Sequence, residues 1–317
     1  TPEGPYEWQG ALIYSGFNRK TISGTDVLDY VDEDYAYKNY IKGAQYNYED
    51  YPNAIDPTVF YDADGRMWMV YGSWSGGIFL LEIDKTTGLV IHPEADKANN
   101  VDPYYGKRLL GGGHISIEGP YIMYDETSGY YYLFVSYGAL TSNGGYQVRV
   151  FRSKTVDGEY VDMNGKYPEK SAQHQNFGLK LTGNYKLPSL EKAYMATGHN
   201  SAFVDDDGRM YLVYHTRFND NGEGHSPRVH QMLVNEDGWP CELPYQTQGE
   251  TVNKDGYDAD DIIGRYYVIN QGTAIDSKIA NPVILYLEKN GKVKGRKVRG
   301  YLGMQGWLIL YEYHYRR

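Results

Sequence analysis

Apolar residues recur in three similar stretches of the chain, at residues 53–73, 116–137 and 198–216. In each stretch an apolar run leads into an Asp-containing turn closed by glycine, and a second run rich in β-branched and aromatic residues follows. Glycine tolerates the positive φ that tight turns require, so each stretch predicts a β-hairpin. The turn glycines are Gly65, Gly129 and Gly208.

Each hairpin is followed by a candidate third strand. These strands are predicted at residues 78–83, 147–152 and 228–234, and a fourth is predicted at 158–161. Units of four antiparallel strands that repeat every roughly 60 to 80 residues are typical of a β-propeller, whose blades pack face to face around an axis.

The two ends of the chain depart from this repeat. Residues 4–7 resemble 158–161, so we expect the chain to start at the outer strand of a blade whose inner strands lie outside the sequence. Further short strands are predicted at residues 262–270, 282–288 and 291–297. We therefore predict an all-β fold, with an N-terminally incomplete propeller domain at residues 1–254. A small β-barrel-like domain, incomplete at its C-terminus, is predicted at residues 255–317.

Composition narrows the class of protein. The 35 tyrosines and 37 glycines favour short strands with tight turns. The net charge of −10 argues against a nucleic-acid binder. No apolar run approaches the roughly 20 residues of a membrane-spanning helix. The single cysteine, Cys241, excludes an internal disulfide and a four-cysteine zinc site.

Three residues that could take part in catalysis or binding occupy equivalent places in the hairpins. Asp56, Glu118 and His199 each precede the turn glycine by a similar distance, at the predicted head of the first strand. First strands line a propeller's axis, so these side chains are expected to meet at one mouth of its channel. The alternative is that each is an ordinary turn or cap residue. An unpaired buried carboxylate costs several kcal/mol, which favours the functional interpretation for the three together.

Paired carboxylates beside aromatic residues are typical of glycoside hydrolysis, in which one carboxylic acid protonates the leaving oxygen. Trp74 follows the second strand of its hairpin in a glycine-rich loop, which makes it a candidate sugar platform. Trp68, Tyr137 and Tyr146 are weaker candidates, because most aromatic residues of such a chain pack within the sheets.

Several linked motifs resemble glycoside hydrolase family 43, and specifically its endo-α-1,5-L-arabinanases. They are Asn53-Ala-Ile-Asp56-Pro57, Ile117-Glu118-Gly-Pro-Tyr121, Asn143-Gly-Gly-Tyr146, Gly198-His199-Asn-Ser201 and His215-Thr-Arg217-Phe218. The resemblance implies a five-bladed propeller that hydrolyses with inversion. The tail after residue 261 resembles the C-terminal β-domain of two-domain extracellular members.

The resemblance also implies a role for each residue. Glu118 matches the general acid, and Asp56 matches the aspartate that orients this acid and keeps it protonated. His199 matches the histidine that holds a calcium-centred water cluster at the channel axis. Trp74, His114 and Arg217 are the candidate substrate-binding residues.

One part of the family's pattern is missing. The general base belongs to an Asp-Pro motif on the first blade, and the only Asp-Pro pairs here begin at Asp56 and Asp102. Asp102 falls in an insertion between hairpins and is a poor substitute. We therefore expect the base upstream of Thr1 and little or no activity from this chain alone.

Two other readings of function stay open: an exo-acting α-L-arabinofuranosidase or β-xylosidase, and a carbohydrate-binding propeller without catalysis. The expected partner is a polysaccharide, arabinan in the favoured reading, and the size of such a substrate predicts a secreted or periplasmic protein. The run Asp205-Asp206-Asp207-Gly208 predicts a hairpin turn rather than a calcium loop. The sequence does not fix the oligomeric state.

Overall fold

The computed structural model describes residues 3–167, 174–253, 255–289, 291–295, 298–305, 308–311 and 314–315, with side chains up to residue 295. Strands dominate it, as predicted. The short helices are η1 (Ile22–Gly24), α1 (Val27–Tyr30), α2 (Glu33–Asn39), η2 (Lys97–Asn99) and η3 (His174–Asn176). Within these residues no helix has the length and apolar character needed to cross a membrane.

The strands carry the labels β1 to β22 in chain order. They are β1 (Ile41–Lys42), β2 (Gln45–Tyr46), β3 (Thr58–Tyr61), β4 (Met67–Tyr71), β5 (Ile78–Ile83), β6 (Val90–Ile91), β7 (Val101–Asp102), β8 (Gly106–Leu110), β9 (Ile117–Asp125), β10 (Tyr130–Tyr137), β11 (Gln147–Ser153), β12 (Leu179–Thr182), β13 (Tyr194–Val204), β14 (Met210–Phe218), β15 (Ser226–Val234), β16 (Pro240–Glu242), β17 (Gly264–Val268), β18 (Val283–Leu287), β19 (Lys292–Gly295), β20 (Val298–Gln305), β21 (Leu308–Tyr311) and β22 (His314–Tyr315).

The chain divides into two compact units. The first comprises Thr1–Ser136 and Val150–Leu179, and the second comprises Tyr137–Arg149 and Lys180–Arg317. The predicted boundary between residues 254 and 255 is a different division and stays a prediction.

The first hairpin opens a sheet of the first unit with strand order β3-β4-β5-β8-β7, and β6 pairs with β5. Its turn is held by Asp62, whose carboxylate accepts the backbone N–H of Arg66 at 2.8 Å and the indole N–H of Trp68 at 2.8 Å. The predicted hairpin and the predicted bounds of β5 are confirmed. The insertion after β5 supplies β7 and β8, which extend the same sheet.

A helical segment packs with this sheet and was not predicted. Asp32 caps α2 by accepting the backbone N–H of Tyr35 at 2.7 Å, and Glu33 and Asp34 occupy its first turn, where they complement the helix dipole. The cluster buried between helices and strands is rich in tyrosine. Buried tyrosines need hydroxyl partners, and Tyr71 donates to the Tyr105 carbonyl at 2.8 Å.

The second sheet has the order β12-β11-β10-β9. The hairpin is confirmed, but the predicted fourth strand at 158–161 is wrong. Only Val161 pairs, through two backbone hydrogen bonds with Arg152. The Asp162 side chain then accepts the N–H groups of Asn164 and Lys166, which turns the chain away. The edge position belongs to β12 instead.

The expectation of a strand at residues 4–7 is also wrong, because no strand forms there. Pro5 lacks the N–H that pairing requires. The neighbouring side chains of Tyr6 and Trp8 are 80% and 84% exposed.

The second unit contains a sheet with the order β13-β14-β15-β16. Its first hairpin turns at Asp205 to Gly208, where the Gly208 N–H donates to the Asp205 carbonyl at 2.8 Å, which confirms the predicted turn. A further sheet begins β17-β18-β19. β17 and β18 confirm the strands predicted at residues 262–270 and 282–288. β19 corresponds to the strand predicted at 291–297 and ends at Gly295, and residues 296 and 297 lie outside the described residues.

Candidate functional site

The Glu118 carboxylate is held in a fixed orientation at the start of β9. The indole N–H of Trp74 donates to its Oε2 at 2.6 Å, and the Ser73 hydroxyl donates to the same oxygen at 3.3 Å. The backbone N–H of Trp74 also donates to the Ile117 carbonyl at 2.9 Å. The loop after β4 is therefore fastened to β9 at the point where Glu118 projects.

Asp56 lies beside the same strand, two residues before β3. Its Oδ2 accepts the backbone N–H of Gly119 at 3.3 Å, and the nearby Thr58 hydroxyl donates to the Pro120 carbonyl at 3.0 Å. The two carboxylates predicted from the first and second hairpins are thus brought to neighbouring positions within the first unit.

His114 completes this first group. Its ring lies 5.4 Å from that of Trp74 at an interplanar angle of 48°, and its Nδ1 lies 3.2 Å from the Ser75 hydroxyl. His114 is exposed and Trp74 is half-buried. Together they place two aromatic rings beside the Glu118 carboxylate.

Backbone strain marks three of the candidate residues. Asp56, Trp74 and His199 have φ values of 57°, 59° and 52°, in the left-handed region that residues other than glycine rarely adopt. Such conformations cost on the order of 1–3 kcal/mol and cluster at functional positions. Only six non-glycine residues of the described chain have positive φ, so this coincidence supports the choice of sites. The sequence carried no signal of it.

His199 belongs to the second unit, and its expected place at a strand head is wrong. It lies inside β13, which begins at Tyr194, and the register with β14 shifts on both sides of Gly198. A β-bulge re-aims the side chains around it, and here it accompanies an exposed His199. The Nδ1 of His199 lies 3.2 Å from the hydroxyl of Tyr146. The meeting of His199 with the two carboxylates stays a prediction.

Two further histidines, His215 of the His215-Thr-Arg217-Phe218 motif and His225, extend this second group. The rings of Tyr146 and His215 stack at 5.8 Å, and those of His215 and His225 stack at 4.6 Å. Burial, together with the nearby His225, His199 and Arg217, lowers the pKa of His215 to about 4. The Nδ1 of His215 is buried without a hydrogen-bond partner among the described residues. His215 is therefore neutral at pH 7.

Arg217 is 6% exposed and holds two loops together. Its Nε donates to the Leu140 carbonyl at 2.7 Å, and its Nη1 lies 3.0 Å from the Glu223 carboxylate. These contacts give the guanidinium a structural role within the second unit. A contact with a bound sugar stays a prediction.

Of the weaker aromatic candidates, Trp68 lies in β4, Tyr137 ends β10, and Tyr146 directly precedes β11. Tyr137 and Tyr146 are fully buried, so neither offers a ring face to a sugar. The indole N–H of Trp68 is bonded to Asp62 in the first hairpin turn.

The calcium-centred water cluster expected at His199 stays a prediction. In the part of the chain that the structure describes, no group of three His, Cys, Asp or Glu residues is placed to hold a metal ion. Calcium prefers six to eight oxygen ligands, whereas His199 offers an imidazole.

The chain is similar in sequence to known glycoside hydrolases. Residues 24–240 match the model of glycosyl hydrolases family 43, and residues 244–309 match a C-terminal lipocalin-like domain, GH43_C. The extracellular endo-α-(1→5)-L-arabinanase of Thermotoga petrophila is 41% identical over 92% of the chain, and the extracellular endo-α-(1→5)-L-arabinanase 2 of Bacillus subtilis is 38% identical over 92%.

A solved structure agrees with these matches. The crystal structure of endo-1,5-α-L-arabinanase from Thermotoga petrophila has a TM-score of 0.82 and 40% identity, covering 98% of this chain and 65% of that one. The chain spans 59% of the length of each of the two curated relatives. The family model covers more than half of the chain, so the protein belongs to glycoside hydrolase family 43.

Proposed function

We propose that the chain is part of an endo-acting glycoside hydrolase that cleaves α-1,5-linked L-arabinofuranosyl bonds of arabinan with inversion. The observation that carries this proposal is the Glu118 carboxylate, fastened by Trp74 and placed beside Asp56 within a family 43 match. The names of the two curated relatives support arabinan as the substrate.

In this proposal Glu118 is the general acid, which donates its proton to the glycosidic oxygen as the bond breaks. Trp74 and Ser73 hold the carboxyl group in the orientation for that transfer. Asp56, anchored on Gly119, orients the acid from the neighbouring strand. Trp74 and His114 contact the sugar next to the cleaved bond, and Arg217 is proposed as a further substrate-binding residue on the family resemblance alone.

Inversion also needs a base that activates water on the opposite face of the sugar, with the two carboxyl groups roughly 6.5–9.5 Å apart. We propose that this base is an aspartate outside the 317 residues. Asp102 does not serve, because its Oδ1 accepts the Tyr40 hydroxyl at 2.8 Å and the backbone N–H of Tyr105 at 2.8 Å inside the first unit.

The same proposal includes a five-bladed propeller whose first blade lies outside this chain, and a calcium ion near His199. Three sheets that each begin with a predicted hairpin support the propeller. Calcium rests on the family resemblance alone. Extracellular relatives support a secreted protein.

The test measures reducing-sugar release and product sizes from linear arabinan and arabinoxylan. It uses the protein extended by its native upstream sequence, with Glu118→Gln and Asp56→Asn variants and Glu126→Gln as a control at an exposed turn position. We expect mixed arabino-oligosaccharides from the extended protein and the control, and at least a hundredfold loss in both site variants. Arabinose or xylose as the sole product would favour the exo-acting enzyme. Binding without hydrolysis, unchanged by Glu118→Gln, would favour the binding protein.

A further inference from the structure

A second concave site lies in the first unit, apart from the residues assigned above. It is a cavity of 260 Å³ bordered by α2, by the loop before β3, and by the β7 and β8 strands. None of its lining residues belongs to the group around Glu118. Its volume is slightly below the roughly 300–1,000 Å³ of sites for drug-sized ligands, which fits a ligand of one or two sugar residues.

One wall of the cavity is anchored by Asp102, which is 9% exposed. Its Oδ1 accepts the Tyr40 hydroxyl at 2.8 Å and the Tyr104 N–H at 2.9 Å, and its Oδ2 lies 3.3 Å from the Tyr35 hydroxyl. These bonds join α2 to β7, so the cavity is formed before any ligand arrives.

The cavity offers a hydrogen-bond donor that the protein does not use. Arg108 lines it, and the Nη1 of Arg108 is buried without a hydrogen-bond partner among the described residues. Unsatisfied buried donors are rare and costly, which points to a ligand acceptor or water at this position. Asn39 and Asn100 add amide groups to the lining.

The charges of the lining residues limit the class of ligand that the cavity can bind. Two acidic residues, Asp50 and Asp102, line the cavity together with Lys97 and Arg108. An anionic ligand would be repelled by the acidic residues, and a metal ion would be repelled by Lys97 and Arg108. A neutral polyol can donate hydrogen bonds to the acidic residues and accept them from the basic ones.

The aromatic residues of the lining also favour a sugar as the ligand. Tyr35, Tyr51 and Phe79 line the cavity, and the Tyr51 ring is fixed by an edge contact with Tyr40 at 4.7 Å. Apolar and aromatic walls with a few placed polar groups suit a small organic ligand such as a sugar ring.

We propose that this cavity is a second saccharide-binding site, which takes one or two neutral sugar residues of the polysaccharide through Arg108 and the Asp50 carboxylate. The identity of the sugar, an arabinofuranosyl unit, rests on the proposed function. Such a site would hold the polymer while the Glu118 site acts on it.

The test is a two-dimensional ¹H–¹⁵N NMR titration of the full chain carrying Glu118→Gln, with α-1,5-arabinotriose as the probe. The side-chain amides of Asn39 and Asn100 report the cavity, and the Trp74 indole N–H reports the Glu118 site. We expect arabinotriose to shift both sets of signals. With Arg108→Met added, the affinity measured from the Asn39 and Asn100 signals should fall about tenfold, because a charge-assisted hydrogen bond is lost. The affinity measured from the Trp74 indole signal should stay unchanged.

Matched controls sharpen the result. Arg19→Met removes an arginine of the same unit that stacks on Tyr37, and it should change neither response. Arg108→Lys keeps the charge and should restore part of the affinity. Sodium phosphate and calcium chloride at the same concentration should leave the Asn39 and Asn100 signals in place.

Movement of the Trp74 signal alone would overturn the second site, as would cavity signals that follow phosphate or calcium and ignore the sugar. Failure of the proposed function looks different. If xylotriose moves the cavity signals and arabinotriose does not, the saccharide site stands and the assignment to arabinan falls.

Discussion

His215 should make the protein's stability depend on pH in a predictable direction. Its ring is partly buried between Tyr146 and His225, and burial lowers its pKa from 6.5 to about 4. The unfolded chain therefore takes up a proton as the pH falls below 6.5, whereas the folded chain takes it up only near pH 4. The stability that the neutral ring provides is fully present above pH 6.5 and is lost as the pH falls through this window.

The size of the effect follows from the shift. A difference of about 2.5 pKa units corresponds to an upper bound of ~3.4 kcal/mol in the free energy of unfolding. His215 keeps part of its surface in solvent, and screening there reduces this figure to about 1–2 kcal/mol.

The assay is urea unfolding followed by tryptophan fluorescence at several pH values between 7.5 and 4, for the wild type, His215→Phe and His215→Gln. Phenylalanine keeps the ring stack and glutamine keeps polarity, and neither side chain titrates. Between pH 7 and pH 4 the wild type should lose about 1–2 kcal/mol more than both variants. Parallel stability curves for all three proteins would refute the argument.

Two further predictions concern single contacts. Trp74→Phe removes the hydrogen-bond donor to Glu118 Oε2. It should lower kcat on arabinan about 10- to 100-fold in the extended protein, because hydrogen bonds to charged groups are worth ~1.5–3 kcal/mol. An unchanged rate and pH profile would contradict the role given to Trp74. Glu242→Ala removes a buried carboxylate whose Oε1 lies 2.8 Å from the Nδ1 of His230, a nitrogen that also lies 2.7 Å from the Leu243 carbonyl, so the free energy of unfolding should fall by about 1–3 kcal/mol in urea titrations, and the absence of any loss would argue against a stabilising contact.

The hairpins could be predicted because their cause is local. The glycine at each turn and the apolar runs beside it identify the three hairpins, and β5 has the bounds expected from its composition. The helical segment was not predicted, although Asp32 followed by Glu33 and Asp34 is a local N-cap signal.

Other features depend on tertiary structure and leave no local trace. The bulge at Gly198 changes the place of His199 within its strand, and register shifts of this kind are set by packing against the neighbouring strand. The Arg108 cavity arises only when α2 meets β7 and β8, which are distant in sequence. The candidate residues Asp56 and Glu118 were found from their spacing, while the donor that fixes Glu118 became visible only in the structure.

The measurement that tests the central claim most directly compares the release of arabino-oligosaccharides from linear arabinan by this chain, by the chain extended with its native upstream sequence, and by the extended Glu118→Gln variant. The account predicts mixed oligosaccharides from the extended protein alone. Full activity of the 317-residue chain would contradict the proposed location of the base, and full activity of the Glu118→Gln variant would contradict the proposed acid.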